Sequence, residues 1–132
     1  LIDHITIRVS DVERARKFYE QVFLPLGYKI SFGEEKVFWA FDVGKGCLFE
    51  IAQYTGQTPL TPVHVAFRVE SPAHVQQMYD AAMAAGARDN GPPGPRPQYT
   101  KNYFACFVFD QDGHNIEAVF DEISTEAGAE RE

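Results

Sequence analysis

Hydrophobic and polar positions alternate from the first residues of the chain. Ile5, Ile7 and Val9 fall on one side, and His4, Thr6 and Arg8 on the other. A period of two predicts a strand with one covered face. The pattern then changes to helical spacing at Val12, Ala15, Phe18, Tyr19 and Val22. Ser10 three residues before Glu13 reads as a capping box, and Pro25 and Gly27 end the helix. Strand-like runs follow at Tyr28–Phe32, Val37–Val43 and Cys47–Gln53, separated by Gly33-Glu34-Glu35 and Gly44-Lys45-Gly46.

The same order returns about 60 residues later. Pro62-Val63-His64-Val65-Ala66-Phe67-Arg68-Val69 repeats the opening strand, with His64, Arg68 and Val69 in the places of His4, Arg8 and Val9. Ser71 is placed as an N-cap with Pro72 at the first helical position. Val75, Met78, Tyr79 and Ala82 supply the apolar face, and Gly86 stops the helix. Runs at Ala87–Asn90, Tyr103–Asp110 and Asn115–Phe120 complete the set, with Gln111-Asp112-Gly113 as a tight turn. The repeat predicts one α+β domain over residues 1–121, made of two βαβββ modules at about 1–53 and 62–121. Residues 53–62 read as a polar linker, and 122–132 as a frayed acidic tail.

Composition narrows the function. With 12 Lys and Arg against 19 Asp and Glu, the net charge is −7. No basic excess exists to displace counterions, which excludes nucleic acid, and anionic membranes are disfavoured likewise. No apolar run is long enough to span a bilayer and no signal-like segment opens the chain, so a cytoplasmic protein is expected. Cys47 and Cys106 lie within apolar runs and read as buried free thiols.

Four residues carry the candidate chemistry. His4 and His64 occupy the same place in the two repeats. Glu50 lies between Phe49 and Ile51, and Glu117 between Ile116 and Ala118, on the last strand of each half. A carboxylate among bulky apolar neighbours is costly unless something offsets its charge. Two His and two Glu are a suitable ligand set for one divalent ion: Zn, Ni, Co, Mn or Fe. The stretch 90–102 holds four of the eight prolines, with Arg96, Tyr99 and Lys101 placed to close over a substrate. His74 and His114 read as exposed, and Trp39 as a residue of the core or of a binding cup.

The motifs Asp3-His4-Ile5 with Phe18-Tyr19, His64-Val65-Ala66-Phe67, and Asp110-Gln111-Asp112-Gly113-His114-Asn115-Ile116-Glu117 resemble those of the vicinal oxygen chelate superfamily of glyoxalases, bleomycin-resistance proteins and extradiol dioxygenases. The resemblance implies a curled, eight-stranded mixed sheet forming a cup around one metal. It implies His4, Glu50, His64 and Glu117 as ligands, with Glu117 as first and Glu50 as second candidate base. It also implies Arg8 as a substrate-carboxylate ligand. The activity implied is that of a metal-dependent lyase or isomerase on a small vicinal dicarbonyl or hydroxy-carbonyl compound, through an enediolate. At Ile51-Ala52-Gln53-Tyr54 the chain departs from the glyoxalase I pattern, which counts against a glutathione adduct as substrate. Two alternatives stand beside it: an Fe(II) dioxygenase using His4, His64 and Glu117, and a ligand-sequestering protein without catalysis. Relatives of this size imply a homodimer, with the cup formed within one chain or swapped between two.

Overall fold

The structure, a computed structural model, describes residues 1–122. Strand β1 (His4–Val9) leads to helix α1 (Val12–Phe23), a 3-10 turn (Leu24–Leu26), and strands β2 (Lys29–Glu34), β3 (Phe38–Asp42) and β4 (Leu48–Gln53). The second module repeats this as β5 (His64–Arg68), α2 (Pro72–Ala84), β6 (Arg88–Pro95), β7 (Tyr103–Phe109) and β8 (Asn115–Asp121). Each module builds its own four-stranded mixed sheet, ordered β1-β4-β3-β2 and β5-β8-β7-β6. The eight expected strands thus divide between two sheets within the chain. Most of the acidic tail expected at 122–132 lies outside the described residues. No helix among them is long and apolar enough to cross a membrane.

The alternation read in the sequence sets which face each sheet buries. Ile7 and Val9 of β1, Phe67 of β5 and Val69 just after it join one hydrophobic core with both helices. The burial of residues 1–10 is matched position by position by that of 61–70. Phe23, at the end of α1, lies within 5.6 Å of the rings of Phe49 and Phe67, one from each sheet. The helix-covered faces therefore share the core, and the other face of each sheet turns outward.

Local chemistry explains the departures from expectation. The N-cap of α1 is Asp11, whose side chain accepts from the Arg14 N–H, and not Ser10. Ser10 instead gives its N–H to Asp112, and Glu13 accepts from the Lys36 N–H and the Trp39 indole. Trp39 thus lies on the helix side, away from the outward face. Cys106 is buried as expected, whereas Cys47 is half-exposed. The stretch 90–102 is only partly a loop, because β6 extends to Pro95 as an edge strand. An edge tolerates Pro92, Pro93 and Pro95; the missing N–H groups of Pro92 and Pro93 fall in the register shift between Gly91 and Gly94, and a second shift lies at Asp89/Gly91. Gly91 has φ +149°, and a Cβ there would meet the Phe107 ring at 3.1 Å.

Candidate metal centre

The four ligand-type residues occupy equivalent lattice points of the two sheets. In module 1, His4 pairs with Leu48 and Thr6 with Glu50; in module 2, His64 pairs with Asn115 and Ala66 with Glu117. Each histidine is therefore one same-face step from its glutamate, on the outward face. The His64 Nε2 lies 2.8 Å from Glu117 Oε1. Glu117 is only 2% exposed, and its second oxygen accepts from the Tyr103 hydroxyl. In module 1, Glu50 is half-buried and Oε1 accepts from Thr6 Oγ1 at 3.0 Å. His4 is exposed, with Nδ1 2.7 Å from Asp3 Oδ1. That hydrogen bond, and then the Glu50 charge, push its pKa above the usual imidazole value.

The donor set, two imidazoles and two carboxylates, suits a divalent metal. Within one chain it remains two separate His–Glu pairs. Among the described residues no three His, Cys, Asp or Glu side chains converge to hold an ion. A four-ligand centre therefore needs a second His–Glu pair brought to the first from another copy.

The remaining predicted residues sort by module. Arg8 and Glu50 line a cavity of about 450 Å³ together with Thr6, Phe38 and Gln53. Arg96 folds back over its own hairpin, donating to the carbonyls of Pro92, Gly94 and Pro95. Its guanidinium stacks on Phe107, 5.5 Å from the ring centroid. Phe107 pairs with Glu117 in register and lies 6.1 Å from the His64 ring, so Arg96 sits on the face that carries this pair. Tyr99 is 58% exposed and meets Tyr103 edge-on at 5.0 Å. Lys101 is exposed in the turn. Apolar side chains share or border these faces, among them Phe32, 49% exposed and aligned with Ala40 and Glu50, and Val37, 46% exposed.

Two residues escaped the sequence reading. Tyr103 binds Glu117 from 14 positions away, across the β7–β8 hairpin and two same-face steps from Phe107, the residue paired with Glu117. His114, expected to be exposed, is 1% exposed. Its ring accepts the Val63 N–H at Nδ1 and donates from Nε2 to the Arg8 carbonyl. The polar turn before it gave no sign of this.

Comparisons with known proteins agree with the architecture. The chain overlays a glyoxalase/bleomycin resistance protein from Albidiferax ferrireducens T118 with a TM-score of 0.80 at 23% identity, covering 90% of this chain and 98% of that one. A lactoylglutathione lyase from Agrobacterium tumefaciens overlays with a TM-score of 0.69 at 15% identity, over 91% and 92% of the two chains. The fosfomycin resistance protein FosX from Mesorhizobium loti gives 0.68 at 22% identity, over 96% and 95%. At these identities the overlays establish the shared fold. No curated protein sequence matches the chain. Residues 1–118 match the sequence model of the glyoxalase/bleomycin resistance protein/dioxygenase superfamily, and the chain belongs to that superfamily.

Proposed function

We propose that the protein is a metal-dependent, glyoxalase-like lyase or isomerase acting on a small vicinal dicarbonyl or hydroxy-carbonyl compound. Each site combines module 1 of one copy with module 2 of a second in a C2 dimer. The observation that carries this is the matched placement of His4–Glu50 and His64–Glu117 on the two outward faces. Four ligand-type side chains at two equivalent pairs of lattice points complete one centre when the faces meet. Exposed Phe32 and Val37 give those faces apolar area to bury against a partner.

A divalent metal held by these four residues would supply Lewis acidity toward two adjacent substrate oxygens. The chain's own groups do the rest. Glu117 is the first candidate to move a proton between neighbouring carbons, and Glu50 the second. Arg8, on the cavity wall beside Glu50, offers a fork for a substrate carboxylate. Arg96 adds a fixed positive charge over Phe107, while Tyr99 packs on Tyr103 and Lys101 stands exposed in the turn, both available to a substrate.

Elemental analysis of protein purified without chelator tests the reading, coupled to NMR detection of deuterium uptake beside the carbonyl of small hydroxy-carbonyl compounds. About one Zn, Ni, Co or Mn per chain with exchange supports it. Iron with oxygen uptake assigns the protein to dioxygenase chemistry on His4, His64 and Glu117. A metal-free protein that binds ligands without exchange is a sequestering protein.

A further inference from the structure

We infer that Tyr103 is the positioning residue for Glu117, and that the proline-rich turn before it seats Tyr103. This rests on the metal-site reading above. Glu117 is buried, and both of its oxygens are engaged: Oε1 by His64 Nε2 and Oε2 by the Tyr103 hydroxyl. Leaving either oxygen of a buried carboxylate without a partner costs the desolvation of that group.

The internal repeat shows why the hydroxyl comes from β7. In module 1 the equivalent carboxylate, Glu50, is held by Thr6 from its pairing position on β1. The residue at that position beside Glu117 is Ala66, which has no donor. Tyr103, from the strand on the other flank of β8, supplies what Ala66 lacks. The tyrosine is fixed by its surroundings. The Arg96 N–H donates to its carbonyl at 2.7 Å, its own N–H reaches the Thr100 carbonyl at 3.3 Å, and the Tyr99 ring packs on it. Prolines at 92, 93, 95 and 97 restrict the alternatives open to this segment.

With Oε2 held by the hydroxyl, Glu117 presents Oε1 alone, on the side of His64. The carboxylate then offers one oxygen rather than two to an ion. The test is Co(II) titration of the metal-free protein, read by calorimetry and by visible absorption, for wild type, Tyr103→Phe, and Tyr103→Phe with Ala66→Thr. The phenylalanine variant is expected to bind Co(II) at least about tenfold more weakly. Its absorption band should shift as the freed carboxylate changes its mode of binding, a signature that a loss of fold stability alone would not produce. Ala66→Thr restores the donor in the arrangement used by Thr6, and is expected to recover affinity and spectrum. Unchanged affinity and spectrum in Tyr103→Phe overturn the inference while leaving the metal site standing. A loss that Ala66→Thr does not recover at all also overturns it. A wild type that binds no Co(II) removes both the inference and the metal-site reading.

Discussion

The His114 ring joins the two modules through the Arg8 backbone: its Nε2–H donates to the Arg8 carbonyl at 2.7 Å. The opposite nitrogen accepts the Val63 N–H at 3.0 Å. A backbone N–H can only donate and a carbonyl can only accept, so the ring is neutral with its proton on Nε2. One imidazole thereby fixes β1, which carries Arg8 and His4, to the entry of β5, which carries His64. His114→Ala leaves a part-buried donor, a part-buried acceptor and a cavity. It is expected to destabilise the fold by about 2–4 kcal/mol, measured by urea unfolding. A loss below about 0.5 kcal/mol would show that the bridge is incidental.

A second contact between modules breaks the symmetry of the repeat. Tyr19 is buried and its hydroxyl donates to Asp110 Oδ2 at 2.6 Å, whereas its repeat counterpart Tyr79 bonds Asp89 at 3.0 Å near the surface. Tyr19→Phe is expected to cost about 1.5–3 kcal/mol and Tyr79→Phe less than about 1 kcal/mol, since bonds to buried charges are worth more. Burial and then the Asp110 charge push the Tyr19 pKa well above the usual 10.0. A folded pKa above the unfolded one means a contribution fully present below about pH 10 and lost as the pH rises toward the folded value. The gap between wild type and Tyr19→Phe in urea unfolding should therefore hold at neutral pH and narrow only in strong alkali. Equal losses in the two variants contradict the asymmetry.

Thiol reactivity checks the core. Burial pushes the Cys106 thiol up to about 11, and its Sγ faces the Val75 carbonyl at 3.6 Å. Cys47 is half-exposed. At pH 8 a disulfide-exchange reagent is expected to titrate one thiol per native chain and two in denaturant. Two fast thiols in the native protein contradict the packing around Cys106.

Much of this was legible in the chain. Alternation at residues 4–9 and its return at 64–69 gave the strand faces, because a strand has only two sides. The shared burial of the two segments follows from the same constraint. The helix ended where Pro25 and Gly27 required it to. How the modules pack was not legible, because alternation says which residues share a face and not what that face meets. The His–Glu pairs were therefore readable as pairs, but not as two halves turned away from one core. Side chains that reach across elements were hidden for a related reason. The Glu13 carboxylate reads as a capping partner, yet it finds the Trp39 indole at 2.9 Å. Tyr103 meets Glu117 on the diagonal of the β7–β8 hairpin, two same-face steps from Phe107, the residue paired with Glu117.

The two glutamates should respond differently to neutralisation. Glu117→Gln removes the buried charge between His64 and Tyr103, and is expected to abolish turnover and lower metal retention by at least about tenfold. Glu50→Gln is expected to be nearly as damaging if all four ligands act, and mild if three suffice. Metal content and proton exchange of the two variants, side by side, measure this. Near-normal metal in both contradicts the four-ligand centre.

Complementation between chains tests the shared site most directly. One variant carries His4→Ala and Glu50→Gln, the other His64→Ala and Glu117→Gln, and neither binds metal alone. In a mixed C2 dimer one site receives both damaged modules and the other receives both intact ones. After unfolding together and refolding, random pairing makes about half of the dimers mixed, each with one of two sites intact, so about a quarter of wild-type metal binding should return. No recovery in a mixture shown to contain mixed dimers contradicts a centre built from two copies.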